Sequence, residues 1–288
     1  MRGGGCCAPS ELLKCGIPIR DNPLITRNPM STRERRAVGA LALLYSFRML
    51  GLFMVLPLLA LYAADIPGAT PLMIGLALGA YGLTQALLQI PLSWLSDRVG
   101  RKPVIVAGLL LFAVGSLVAA MADSLPGIVF GRFLQGAGAI AGTVMALAAD
   151  LTSEEQRTKG MAVIGASIGV SFALALVLGP MLASAGGLSA VFAVTAVLAI
   201  SGIFVVWLIV PAPGQPQSHQ QGVQRGQLLR ALTDPAVVPA YVGVFSLHYI
   251  LMASFLVVPG VFESVLALPR EDHWQVYLPI LALSVAGM

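Results

Sequence analysis

Charge is what this sequence has least of. Only 10% of its 288 residues are Asp, Glu, Lys or Arg, against roughly a quarter in an ordinary soluble domain, so a water-soluble globule is excluded. Cysteine is absent after residue 15: Cys6, Cys7 and Cys15 are the whole complement, which excludes a disulfide framework or a thiolate metal site in the body of the chain. No apolar run precedes Cys6–Cys7, so a lipoprotein-type anchor is not predicted. Carboxylates are missing from the middle of every apolar run, since Asp65, Asp97, Asp123, Asp150 and Glu263 all fall at run ends. A membrane-embedded proton carrier is therefore not visible. The histidines are His219, His248 and His273, and no nucleophile is visibly paired with one. An intramembrane hydrolase is a poor reading, no enzyme activity is predicted, and no cofactor or metal is implied.

What fills the chain is hydrocarbon: 57% of the residues are hydrophobic. The runs are long and unbroken rather than alternating, so they predict helices and not a transmembrane barrel, because lipid offers backbone groups no partners. Spans are expected at about 37–63, 71–96, 103–122, 126–150, 157–184, 188–210 and 236–261, with an eighth starting near 273. The fold class is all-α integral membrane. Residues 1–36 form a basic tail, of which 1–29 are expected to precede the natural start at Met30. Residues 37–210 make one six-helix half, 211–235 a Pro- and Gln-rich linker, and 236–288 the beginning of a second half that stops inside its second span.

The net charge of +4 is topogenic and does not point to nucleic acid. All Lys and Arg except Arg48, Arg132 and Arg270 fall in segments that share one side of the membrane. That bias puts the amino terminus in the cytoplasm. The natural setting is a bilayer.

Between the second and third runs stands Ser93-Trp94-Leu95-Ser96-Asp97-Arg98-Val99-Gly100-Arg101-Lys102-Pro103, the densest charge in the chain. Gly100 supplies the positive φ of a tight reversal, and Pro103 suits the first turn of the next helix. The pattern Asp-Arg-x-Gly-Arg-Lys resembles the loop signature of the major facilitator superfamily of secondary transporters, with Ser93 where glycine is usual. Gly131-Arg132-Phe133-Leu134-Gln135-Gly136-Ala137-Gly138 resembles the same family's fourth-helix signature. Gly179-Pro180 is a fragment of its antiporter signature, but Ala183 and Ser184 stand where paired glycines are expected, which weakens an antiporter assignment.

The resemblance implies a twelve-helix fold in two halves, with roles for particular residues. Asp97, Arg98, Gly100, Arg101, Lys102 and Asp150 would form a conformational latch, in which Asp97, Arg101 and Asp150 act as a charge relay. Arg132 and Gln135 would belong to the solute cavity. Arg132 has the alternative of snorkelling to the outer headgroups.

The residues themselves add candidates. Arg48 lies about eleven positions into its helix, too deep to snorkel easily, and either lines a cavity or bridges to a neighbouring helix. Tyr81, Gln85 and Gln89 recur every fourth residue and form one polar stripe, which either lines a solute path or bonds to neighbours. Tyr45-Ser46-Phe47-Arg48 matches Phe245-Ser246-Leu247-His248 at an offset of 200, an internal repeat that gives His248 a position related to that of Arg48 and adds it to the expected substrate cavity. Gly75/Gly79, Gly138/Gly142 and Gly165/Gly169 have the spacing of close helix packing.

From about residue 31 onward the chain resembles a YajR-like subgroup of bacterial inner-membrane transporters, through Ser46 to Pro57, Tyr81 to Gln85 and Leu151-Thr152. Members carry twelve helices and a small carboxyl-terminal soluble domain, so the chain reads as truncated in its eighth helix. The expected function is proton-coupled efflux of small molecules by alternating access. The rival is a non-transporting membrane fragment or a regulatory half-transporter.

Overall fold

The computed structural model describes residues 29–211 and 233–286. The tail before residue 29 and most of the linker lie outside the described residues. Among the described residues the longer α-helices, in chain order, are α1 (Thr32–Ala63), α2 (Pro71–Val99), α3 (Arg101–Ala120), α4 (Leu125–Ala137), α5 (Ala141–Asp150), α6 (Glu154–Leu208), α7 (Val238–Ser264) and α8 (Trp274–Ala286). There is no strand among the described residues. Six helical stretches, one of them α4 and α5 taken together, are long and apolar enough to cross a membrane.

Helix starts follow local chemistry. Ser31 Oγ accepts from the Glu34 N–H at 3.2 Å while the Ser31 N–H donates to Glu34 Oε2 at 2.8 Å, a reciprocal cap that starts α1 at Thr32. Glu34 Oε1 also accepts from the Ser153 N–H at 2.9 Å, tying the starts of α1 and α6 to one end of the bundle. Thr70 caps α2 with Pro71 behind it. Gly100, at φ +108°, ends α2 and starts α3 in a single residue.

Three expected spans are built differently. The fourth is broken at residues 138–140, which separates α4 from α5 at membrane depth. The fifth and sixth run as one helical stretch, α6, interrupted only by non-helical Gly186 and by Gly187 at φ +65°. The two arms fold back on each other. Ser167 on the first donates to the Ala42 carbonyl and Thr195 on the second to the Gly51 carbonyl, both on α1. Arg36 at the start of α1 meets the Leu208 carbonyl at the end of the second arm.

Packing is densest between α1 and both arms of α6, between α2 and α4, and between α3 and its neighbours α4 and α6. Glycine makes the crossings close. A Cβ on Gly136 would sit 1.9 Å from Thr84 Oγ1 and 2.3 Å from the Tyr81 carbonyl oxygen, so α4 touches α2 backbone to backbone. Gly138 and Gly142 are likewise pressed against Gly108 and Ser93. The other two spaced pairs do not pack: Gly75, Gly79, Gly165 and Gly169 have no atom within 4 Å of a Cβ, because they lie on outward faces of α2 and α6. α7 is mostly exposed, touching α1, and α8 touches α6.

Gly136→Ala should force α4 off α2 and cost about 1–3 kcal/mol, seen as a lower unfolding temperature in detergent. Gly75→Ala should leave that temperature unchanged or slightly raised.

Candidate functional site

Two arginines are enclosed in the membrane-depth core, Arg48 at 1% and Arg132 at 0% exposure. Each would cost ~2.5–3.5 kcal/mol against lipid, so their partners decide what they do. The break after α4 leaves the Gly138 carbonyl outside regular helix, and Arg48 Nη2 reaches it from α1 at 3.2 Å while also donating to Tyr81 Oη at 3.3 Å. The Phe112 ring lies 5.7 Å from the same guanidinium. Arg48 Nε and Nη1 have no partner.

Arg132 approaches Tyr81 from the other side, its guanidinium 4.7 Å from the ring centre. Its Nε donates to the Ala77 carbonyl at 3.3 Å and its Nη1 to Gln135 Oε1 at 2.9 Å. Gln135 Nε2 passes the chain on to Ser116 Oγ on α3 at 2.7 Å. Arg132 Nη2 is left over. Tyr81 therefore stands between two cations, accepting from one through oxygen and facing the other with its π-cloud.

Gln85 and Gln89 extend the stripe from Tyr81 along α2, half-buried, and the Oε1 atom of each is buried without a donor. Thr143 Oγ1 near the start of α5 is buried and unpartnered as well. His248 stands apart. It is exposed on α7, with Nδ1 2.8 Å from the Val244 carbonyl of its own helix, and the structure does not bring it to Arg48.

At the basic end, the Arg101 guanidinium sits between two carboxylates, 2.5 Å from Asp97 Oδ1 and 3.1 Å from Asp150 Oδ2, and donates to Ser96 Oγ at 2.7 Å. Lys102 Nζ instead holds the Val210 carbonyl at 2.6 Å, pinning α3 to the chain beyond α6. Arg98 leaves the cluster and lies 3.8 Å over the Trp94 ring.

The opposite end carries a cluster that sequence reasoning missed. Arg270, in the turn between α7 and α8, pairs with Asp65 just beyond α1 and with Glu263 near the end of α7, and lies over the Tyr62 ring. Hydrogen bonding to Asp65, set against partial burial, raises the Arg270 pKa above the ordinary arginine range. A raised cationic pKa means that the clasp's arginine contribution is complete at lower pH and is lost only as pH climbs past that range. One signal was available: Arg270 is the lone cation assigned to that end, and Asp65 and Glu263 are rim carboxylates there.

A bundle of apolar helices, buried cations at membrane depth and charged clusters at both ends is the build of a multi-pass helical membrane protein. The chain belongs to the Major Facilitator Superfamily, whose pattern matches residues 41–288. It is 45% identical over 260 residues to the inner membrane transport protein YajR of Escherichia coli, covering 90% of this chain and 57% of that protein. An uncharacterised transporter of Buchnera aphidicola is 35% identical over 88% of this chain and 66% of its own. Among solved structures, a bacterial homologue of the human lysosomal transporter Spinster aligns with a TM-score of 0.74 at 14% identity, over 90% of this chain and 62% of that one, which shows the shared fold. The chain thus spans about three-fifths of the length of these relatives. The family is one of transporters, not enzymes.

Asp150→Asn removes one partner from a half-exposed pair, so its cost to stability should stay below about 1 kcal/mol. Urea or thermal unfolding in detergent should show that small loss shrinking further in 1 M salt.

Proposed function

We propose that this protein is a secondary active transporter that moves a small molecule by alternating access, with its amino terminus in the cytoplasm. The observation that carries the reading is the contrast between the two ends. At the outer end, Arg270 clasps Asp65, so the second-half helices are tied to α1 there. At the basic end the Asp97–Arg101–Asp150 cluster is built wholly from α2, α3 and α5 and holds no residue of α7 or α8. In this reading the outer end is clasped, and the basic-end cluster is the part of the first half that engages the second half in the opposite state. The opposite state would break the Arg270–Asp65 pair and let the Asp97 end dock on the second half.

Solute would meet Arg48, Tyr81, Gln85, Gln89, Arg132 and Gln135 as the ends open in turn. Proton-driven efflux is the finer form of the proposal and rests on the subgroup resemblance. The bias of Lys and Arg supports the orientation.

The test is comparative retention. Proteoliposomes holding the whole chain are loaded with a metabolite extract under a pH gradient, and the contents are compared by mass spectrometry with vesicles holding Arg101→Ala. At least one solute should be depleted several-fold faster by the wild type. Identical contents over the full time course would sink the transporter reading and favour a non-transporting membrane protein.

A further inference from the structure

The middle of the bundle is positively charged with nothing negative facing it. Arg48 and Arg132 are buried on either side of Tyr81, and three of their nitrogens, Arg48 Nε and Nη1 and Arg132 Nη2, are unpartnered. The ion-paired carboxylates of the described residues are spent at the two ends, Asp97 and Asp150 on Arg101, and Asp65 and Glu263 on Arg270. A buried charge left without a partner is unstable by several kcal/mol, and no carboxylate among the described residues lies at that depth to relieve it.

A third source of positive potential stands beside Arg48. α5 begins at Ala141, at membrane depth, and no side chain caps it. The first N–H groups of a helix have no acceptor within it and carry the positive end of its dipole. Arg48 is anchored through Nη2 to the Gly138 carbonyl, two residues before the Ile140 N-cap, which brings its guanidinium next to the break that precedes this helix. Thr143 Oγ1, in the first turn, is fully buried and unpartnered. Gln89 Nε2 lies 3.5 Å from where a Gly142 Cβ would be, which puts an amide donor at the same turn. Guanidinium, backbone N–H, hydroxyl and amide donors are therefore all carried by, or in contact with, the stretch 138–143.

From this we infer that the start of α5, with Arg48, Thr143 and Gln89, is an oxyanion site, and that the solute is a small organic anion bearing a carboxylate or a phosphate ester. The unpaired Oε1 atoms of Gln85 and Gln89 then accept hydroxyl or amide donors from the rest of the same molecule. Arg132 sets the long-range potential from behind Tyr81. A cationic or purely apolar solute would leave the arginines uncompensated and is selected against.

The word solute rests on the transporter reading, but the site does not, so the test is binding and not flux. The whole chain in detergent is titrated with benzoate, phenyl phosphate and inorganic phosphate, beside the neutral benzamide and the cationic benzamidine, reading the unfolding temperature. Saturable stabilisation is expected from at least one oxyanion and from neither isostere. Response to inorganic phosphate as well as phenyl phosphate would identify the oxyanion alone as the determinant, and response to benzoate alone a carboxylate. Arg48→Met should weaken the effect at least about ten-fold, as expected for loss of charged hydrogen bonds. Arg48→Lys should retain part of it, and the remote Gly75→Ala should retain it all. If Arg48→Met does not fold, Thr143→Val is read in its place and should weaken binding about three-fold or more. Stabilisation by no oxyanion, equal response to benzamidine, or full response in the Arg48 and Thr143 variants would overturn the assignment. Solute depletion from proteoliposomes without oxyanion binding would overturn it while leaving transport standing.

Discussion

Everything in this fold is conditioned by two guanidiniums placed where lipid would reject them. Burying Arg48 and Arg132 requires acceptors at membrane depth, and the Ala77 carbonyl within α2 serves Arg132 while a carbonyl at a helix end serves Arg48. The fourth span supplies one by breaking at residues 138–140, so that the Gly138 carbonyl receives Arg48. The same break creates the free amino end of α5. One local disruption thus stabilises a cation and, in the reading offered here, builds the place where an anion would neutralise it.

The glycines make this arrangement possible. Close approach of Gly136 to Tyr81 and Thr84, and of Gly138 to Gly108, brings α2, α3 and α4 near enough for the Ala77 carbonyl, Arg132, Gln135 and Ser116 to form a continuous chain across three helices. Tyr81 depends on the same contact, since its ring is held between the two arginines by helices that touch there. Packing and polar satisfaction are one problem in this core. A side chain at either glycine disturbs both.

Much of this was legible in the sequence because hydropathy and charge act one residue at a time. Apolar runs gave the helices, the Asp97–Lys102 turn gave the family, and Arg48 and Arg132 stood out as cations in hydrocarbon. What the sequence hid depends on three-dimensional neighbours. The break at residues 138–140 occurs in an apolar stretch that reads as continuous helix, and it is imposed by tertiary contacts with α3 and α1. The spacing of Gly75/Gly79 and Gly165/Gly169 is identical to that of a packing motif, yet those faces have no close neighbour. The 200-residue repeat aligned His248 with Arg48, but exposed α7 offers it no buried partner. The Arg270–Asp65 pair joins residues 205 apart, which no local pattern can announce.

Alternating access requires the two ends of the bundle to open in turn, governed by the Arg270 clasp at one and the Arg101 cluster at the other. The most direct measurement is a pair of spin-label distances in the membrane-reconstituted chain, one between Ala64 and Leu266 at the outer end and one between Val99 and Val238 at the basic end. All four positions are exposed. Breaking the clasp with Arg270→Gln should lengthen the first distance and shorten the second in the same molecules. If the outer distance grows while the inner one stays fixed, or if neither responds, the ends are not coupled and alternating access is contradicted.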